Sequence, residues 1–286
     1  MASISIEHFT DPNCPFAYSA EPIRRRLQWV YGDQIAWRTR MVVLSESRAD
    51  YEAKGLTNEM VQTGYERLSK DPGMPFDTAL RSHLAATAPA CAAVVAAREK
   101  AGEDAAQRVL RALRLTQMTT TTVIDEPDAI DAAITKAGLD PATVAGWITE
   151  PGIQAALAAD KDAARHPLPA AAALDRRLAN WEGGRRYTCP TYVLGDEDGP
   201  SAVIPGFNPI EVYEVVLANC GPALAQRPDP ETVNEILTWA GEPLATAEVA
   251  AVAGVDRETA RERLIGEDAV EHPSGTDAFW TELTRA

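Results

Sequence analysis

Asp11-Pro12-Asn13-Cys14-Pro15-Phe16-Ala17-Tyr18 sets a cysteine between a turn and a proline-led helix start. Upstream, Ser3 to Phe9 places Ile4 and Ile6 in alternation and reads as a strand ended by the turn residues Asp11-Pro12-Asn13. Downstream, Ala17, Ala20, Ile23, Leu27 and Val30 recur near helical spacing as far as Tyr31, and Pro15 sits in the first turn, where a helix tolerates proline. Pro22 lies inside that run and is expected to kink it. A thiol at such a junction meets backbone N–H groups that have no intrahelical partner, together with the positive end of the helix dipole, and both favour thiolate. Cys14 is therefore expected to be reactive, with a pKa below the free-thiol value of about 8.5. The plain alternative is a small buried residue in a turn.

Gly32-Asp33 closes the helix, and Gln34 to Leu44, with Ile35, Trp37, Thr39, Met41 and Val43 on alternate positions, reads as a second strand. Between about Arg48 and Ala179 no strand pattern stands out, and the alanine-rich stretches Ala85–Ala101, Asp104–Thr116 and Pro141–Ala164 favour helix. Thr191–Leu194 and Ser201–Ile204 then read as a hairpin around a turn from Gly195 to Pro200, and Asn208-Pro209 opens a helix through Leu217 and Ala218. A strand-helix-strand unit and a strand-strand-helix unit separated by helices make an α/β chain. Its element order resembles a thioredoxin-like fold with an inserted helical subdomain, at about 48–180, within residues 1–223. Pro228-Asp229-Pro230 reads as a linker to a small helical C-terminal extension, 229–286. There Thr246–Ala253, a turn at Gly254 and a helix from Arg257 form a helix-turn-helix pattern. Acids at Glu242, Glu248, Asp256, Glu258, Glu262, Glu267, Asp268 and Glu271 outnumber Arg257, Arg261 and Arg263, so a packing or dimerisation module is expected rather than a DNA reader.

Composition narrows the function. The 286 residues are 45% apolar and 24% charged, which excludes a wholly disordered chain. No apolar run approaches a membrane span, and Glu7, His8, Asp11 and Pro12 stand where a secretory peptide needs an apolar core, so a soluble cytoplasmic protein is expected. A net charge of -15 repels nucleic acid and anionic membrane surfaces. Four cysteines are too few for a disulfide scaffold in a reducing compartment, so an important one is expected to be catalytic or redox-active.

Cys14-Pro15-Phe16-Ala17-Tyr18 resembles the Cys-Pro-X-Cys-Tyr active site of DsbA-like thioredoxin-fold oxidoreductases. Within them it is most similar to the FrnE-type dithiol isomerases and their relatives, 2-hydroxychromene-2-carboxylate isomerase and the kappa-class glutathione transferases. The resemblance runs from residue 1 to about 223. Tyr187-Thr188-Cys189-Pro190-Thr191-Tyr192-Val193 resembles the cis-proline loop that faces the active-site sulfur, Ile204-Pro205-Gly206-Phe207-Asn208-Pro209 the closing turn, and Leu110–Arg114 with Ile124–Pro127, more weakly, the inserted domain. It implies Pro190 as the cis-proline, and Pro15, Phe16, Tyr18, Thr188 and Pro190 as substrate-binding positions. Ala17 stands where a dithiol enzyme has its second cysteine, so Cys14 lacks the usual resolving thiol. Cys189 precedes the expected cis-proline and is the candidate replacement if its α-carbon comes within about 7 Å of that of Cys14; otherwise it merely lines the pocket.

The resemblance implies thiol-disulfide oxidoreductase chemistry at Cys14. A second outcome is a small-thiol-dependent transferase or isomerase, and a third is a non-catalytic binding protein that keeps the fold. No tightly bound cofactor is expected, with glutathione or mycothiol as co-substrate, a small thiol or protein disulfide as partner, and a homodimer left open. His8 is a candidate proton-handling group or a strand histidine satisfied by backbone. Phe16 and Tyr18 line the groove or belong to the core. Cys91 and Cys220 read as structural. His83 and His166 have no ligand-spaced companions, so no metal site is expected. Arg185 and Arg186 read as a solvated pair, with the grip on a small-thiol carboxylate as the alternative.

Overall fold

A computed structural model describes residues 4–196 and 198–283. Ser3 of the expected first strand and Glu197 of the expected Gly195–Pro200 turn lie outside the described residues. The chain opens with β1 (Ile4–Thr10), α1 (Pro15–Ser19), α2 (Glu21–Tyr31) and β2 (Ile35–Met41). The expected single kinked helix is two: Pro22 begins α2 rather than bending a longer helix, and Ala20 is both the end of α1 and the cap of α2.

The insertion follows as α3 (Ala49–Ala53), α4 (Asn58–Leu68), α5 (Ala88–Ala101), α6 (Glu103–Thr119), α7 (Pro127–Lys136), α8 (Pro141–Ile148), α9 (Pro151–Arg165) and α10 (Pro169–Ala172). Pro127, Pro141, Pro151 and Pro169 each occupy a helix's first turn, where the missing N–H costs nothing. Pro151 therefore divides the expected Pro141–Ala164 helix. The insertion ends in a short hairpin, β3 (Ala179–Trp181) and β4 (Gly184–Arg186).

The expected closing unit is present as β5 (Thr191–Asp196), β6 (Gly199–Pro205) and α11 (Ile210–Cys220). The four-stranded sheet runs β2-β1-β5-β6, with β1 parallel to β2 and antiparallel to β5. Ile4 and Ile6 of β1 share one core with Ile23, Leu27 and Val30 of α2, whereas Phe9 packs with Cys14, Val193 and residues of the insertion. Buried Asp160 of α9 ties the insertion to β2: it accepts from the Met41 N–H at 3.0 Å, from Arg98 of α5 at 2.6 Å and from Arg40 at 3.0 Å. Among the described residues, no helix is long and apolar enough to cross a membrane.

The extension departs from the expectation of a purely helical tail. It contains α12 (Val233–Ala240), β7 (Leu244–Ala245), α13 (Thr246–Ala253), α14 (Arg257–Gly266), β8 (Val270–Ser274) and β9 (Asp277–Thr281), with a three-stranded sheet in the order β7-β9-β8. The helix-turn-helix is where the pattern places it. The strands escape a periodicity reading because β7 is two residues long, Ala278, Phe279 and Trp280 are buried in succession, and β8 carries Pro273, tolerated on the sheet's edge.

Nor does the extension hang free. Val233, Ile236, Leu244, Val249, Leu264 and Trp280 join the same core as the α2 face of the main sheet. The expected linker is itself pinned, with Trp29 Nε1 donating to the Pro228 carbonyl at 3.0 Å. Fully buried Glu248 of α13 takes two hydrogen bonds from Arg111 of α6, at 2.7 and 2.9 Å, and another from Arg25 of α2 at 3.3 Å. Burial opposes ionisation of Glu248, but the Arg111 and Arg25 charges overcome it and hold its pKa below the ordinary carboxylate value. Removing one member of a buried pair costs up to about 3–5 kcal/mol, and here Glu242, which also pairs with Arg111 and Arg25, keeps part of the charge balanced. Glu248→Ala should lose stability of that order in urea unfolding, and Glu248→Met with Arg111→Met distinctly less. Because the folded-state pKa is depressed, the Glu248 contribution is complete above the ordinary carboxylate pKa and is lost as pH falls through the lowered value. The gap between wild type and Glu248→Ala should therefore close in acid.

Candidate active site

The antiparallel register that pairs Phe9 with Thr191 brings the turn after β1 against the loop before β5. Cys14 caps α1 with extended backbone (φ -84°, ψ 111°), its N–H donating to the Asp11 carbonyl and its own carbonyl accepting from Tyr18. The Cys189–Pro190 peptide is cis. Its loop is held by the Gly206 N–H on the Pro190 carbonyl, 2.8 Å, and by the Thr191 hydroxyl on the Thr188 carbonyl, 2.7 Å.

Cys14 and Cys189 are both buried free thiols. Cys14 Sγ lies 3.4 Å from the Cys189 carbonyl oxygen, to which its thiol donates. Once ionised, the Cys14 sulfur accepts instead from the Cys189 thiol and the Ala17 N–H, and these bonds lower its pKa against the opposing effect of burial. The partner moves the other way. Burial pushes the Cys189 thiol well up, and the neighbouring Cys14 sulfur adds to the rise. The two thiols are thus displaced in opposite directions, Cys14 toward ionisation and Cys189 away from it.

Asp11 is the buried acid beside this pair. Its carboxylate accepts from the Asn13 and Leu44 N–H groups, each at 2.9 Å, and from the Cys91 thiol at 3.5 Å. Burial nevertheless raises its pKa, and its negative charge in turn raises that of Cys14. In the sequence Asp11 reads only as a turn residue, and His8 is the candidate proton-handling group. His8 instead stacks on Tyr192 on the α2 side, with ring centroids 4.5 Å apart, and burial with the Arg114 and Arg24 charges holds it neutral. Neither of its ring nitrogens has a hydrogen-bond partner among the described residues. Cys91, read from the sequence as structural, is buried, and burial with Asp11 beside it pushes its pKa well up.

A cavity of about 520 Å³ opens from Cys14. Pro15 and Phe16 line it, the latter 42% exposed, so Phe16 is not a core aromatic. Tyr18, Thr188 and Pro190 are not among its lining residues. Tyr18 is buried, donates to the Pro75 carbonyl at 2.9 Å and meets Phe76 edge to face. The opposite wall comes from the insertion, notably Tyr51, Met60, Tyr65, Arg81 and His83. Periodicity reads these as ordinary helix and loop positions, and nothing local marks them. Arg185 is engaged by Asp175 and Asn180 at the surface, away from the cavity lining.

His83, expected to stand alone, has companions. Its Nε2 lies 2.8 Å from Asp125 Oδ1, its Nδ1 2.9 Å from the Ser82 hydroxyl, and ligand atoms of His83, Asp125 and Glu126 fall within 4.8 Å of one another. The Arg48 guanidinium bridges both carboxylates at 2.8 Å and already supplies the compensating positive charge. The donor set thus reads as an ion-paired cluster rather than a cation cage.

The sequence profile of the DSBA-like thioredoxin domain matches residues 5–167. The chain belongs to that family. Solved structures agree on the fold. A candidate protein disulfide isomerase from Nitrosomonas europaea superposes with a TM-score of 0.59 at 13% identity, over 76% of this chain and 97% of its own. An assigned DsbA oxidoreductase from Streptomyces coelicolor gives 0.56 at 17%, over 79% and 99%. The cytosolic disulfide reductase DsbM from Pseudomonas aeruginosa gives 0.53 at 18%, over 76% and 100%. A search of curated proteins found no match. Against its DsbA-like relatives this chain is longer: about a quarter of it lies outside each of these superpositions.

Two substitutions should move the Cys14 titration in opposite directions. Cys189→Ala removes the thiol donor and should raise the apparent pKa read from the pH dependence of iodoacetamide alkylation. Asp11→Asn removes a nearby negative charge and should lower it.

Proposed function

We propose that this chain is a thiol-disulfide oxidoreductase that uses Cys14 as nucleophile and Cys189 as resolving thiol. The observation that carries this reading is the contact between Cys14, which opens onto the cavity, and Cys189 behind it, with Cys14 Sγ 3.4 Å from the Cys189 carbonyl oxygen and the two thiols displaced in opposite directions. The Cys14 thiolate attacks one sulfur of a substrate disulfide; a new S–S bond forms, the old one breaks, and the leaving thiolate takes a proton. The Cys189 sulfur, after giving up its proton, then attacks the mixed disulfide at Cys14, releases the second substrate thiol, and leaves a Cys14–Cys189 disulfide. Two equivalents of a reduced small thiol return both cysteines to the starting state and leave as the small-thiol disulfide. A reducing compartment such as the cytoplasm suits this cycle because it keeps that thiol supplied.

The cavity favours a small substrate with anionic groups. It is mostly apolar, yet Arg67 and Arg81 line it, and no carboxylate does so among the described residues. Carboxylates of a glutathione-like thiol would find complementary charge there, and an uncharged thiol such as mycothiol would not. The same enclosure keeps a second reading in view, in which Cys14 hydrogen-bonds the thiolate of a bound small thiol that adds to an apolar electrophile.

Cys14→Ser should abolish turnover of a glutathionylated peptide in a coupled assay, and full retained activity would overturn the proposal. Cys189→Ser should instead trap a glutathione adduct on Cys14, visible by intact-protein mass spectrometry. If Cys189→Ser turns over at the wild-type rate, the small thiol alone resolves the intermediate.

A further inference from the structure

The hairpin of the C-terminal extension reaches the underside of the Cys14 cavity. At its tip Thr276 and Phe76 exchange hydrogen bonds: the Thr276 N–H donates to the Phe76 carbonyl at 3.0 Å, and the Phe76 N–H donates to the Thr276 hydroxyl at 3.1 Å. Gly275, beside it, has φ +53°, and a side-chain carbon there would fall 2.1 Å from the Phe76 carbonyl oxygen, so the approach requires glycine. A second tether comes from α14, where Arg257 donates to the Lys70 carbonyl at 2.8 Å and the Gly73 carbonyl at 3.4 Å. Both grip the segment between α4 and α5.

From that segment the contact passes directly to the site. Phe76 packs against Tyr18 of α1 and Tyr65 of α4, with ring centroids 5.2 and 5.0 Å away. Tyr18 is tied to the segment through the Pro75 carbonyl and to Cys14 through its own N–H on the Cys14 carbonyl. Tyr65 is a wall of the cavity. Ala245, Ala247 and Phe279 of the extension complete the buried cluster that holds Tyr18, Tyr65, Met74 and Phe76. Every link in this chain is a packed contact or a hydrogen bond.

We infer that the extension is a positioning element of the Cys14 site, which sets the placement of α1 and of the Tyr65 wall through the Thr276–Phe76 pair and the Phe279 packing. It also accounts for the helix-turn-helix without a nucleic-acid partner. Arg257, at the start of the second helix, is turned onto protein carbonyls, and Arg261 is paired with Glu271 and Asp277. The inference concerns the cavity of the proposed oxidoreductase, but its test reads Cys14 itself and so stands apart from the disulfide chemistry.

The test uses full-length protein carrying Thr276→Val, which removes the hydroxyl acceptor while keeping the side chain's shape, and Thr276→Ser, which restores it. Phe279→Leu is the second, independent variant. Each is examined well below its own unfolding transition for the rate of Cys14 alkylation, the apparent pKa of that reaction, and hydrogen exchange of residues 14–18 and 60–76. Thr276→Val and Phe279→Leu should change the Cys14 alkylation rate by up to about a hundredfold, the cost of a roughly 1 Å misplacement far from a reacting group, and should speed exchange in both segments. Thr276→Ser should remain near wild type. If Thr276→Val and Phe279→Leu loosen only the 270–281 hairpin and leave the rate and pKa of Cys14 unchanged, the extension is a passive appendage and the inference fails. If Cys14 responds as expected while no disulfide substrate is turned over by wild type, the inference holds and the oxidoreductase reading fails.

Discussion

The antiparallel pairing of β1 with β5 is the constraint on which this site rests. Cys14 and Cys189 stand 175 residues apart, and only the register of Phe9 opposite Thr191 places one beside the other. A shift by one residue would turn the side chains of β5 to the other face of the sheet. The core forbids it, because Tyr192 and Leu194 belong to the α2 side and Val193 to the insertion side. Apolar packing on two faces thereby fixes the geometry of a polar event between them.

Within that frame, the chemistry follows from unequal environments. Burial alone raises the pKa of a thiol, and at Cys91 and Cys189 it dominates over the weaker effects of Thr87, Val43 and Arg186 that oppose it. Cys14 is buried as well, yet the Cys189 thiol and the Ala17 N–H stabilise its anion enough to reverse the direction. Asp11 works against them from a position fixed by two backbone donors. The reactivity of Cys14 is a balance among neighbours rather than a property of its motif.

The elements around Cys14 were legible because they are local. Alternation at Ile4 and Ile6, helical spacing from Ala17 to Val30, and turn residues at 11–13 each report on a few adjacent positions, and Pro190 was found through a contiguous motif. What stayed hidden depends on contacts between distant segments. Tyr51, Tyr65, Arg81 and His83 become cavity walls only when the insertion folds over α1. The motif resemblance puts Tyr18 at a substrate-binding position and its helix-start position leaves the core open as well, and the structure sends it into the core with Phe76. His8 drew attention as the nearest titratable ring, but strand alternation turns it to the α2 side, while Asp11, within a turn that looked merely structural, lies beside the thiols. The strands of the extension were missed because β7 is too short, and β9 too fully buried, to show a period of two.

The order in which the chain leaves the ribosome gives the distant pairing a temporal meaning. Cys14 is made early, with its turn and helix start, but the thiol that stabilises its anion follows 175 residues later. At typical elongation speeds of about 5–20 residues per second, that interval is roughly ten to thirty-five seconds. Throughout it the nascent chain carries Cys14 without Cys189 to stabilise its thiolate. Cys189 arrives only just before β5, by which time the residues that become the cavity walls have already been synthesised.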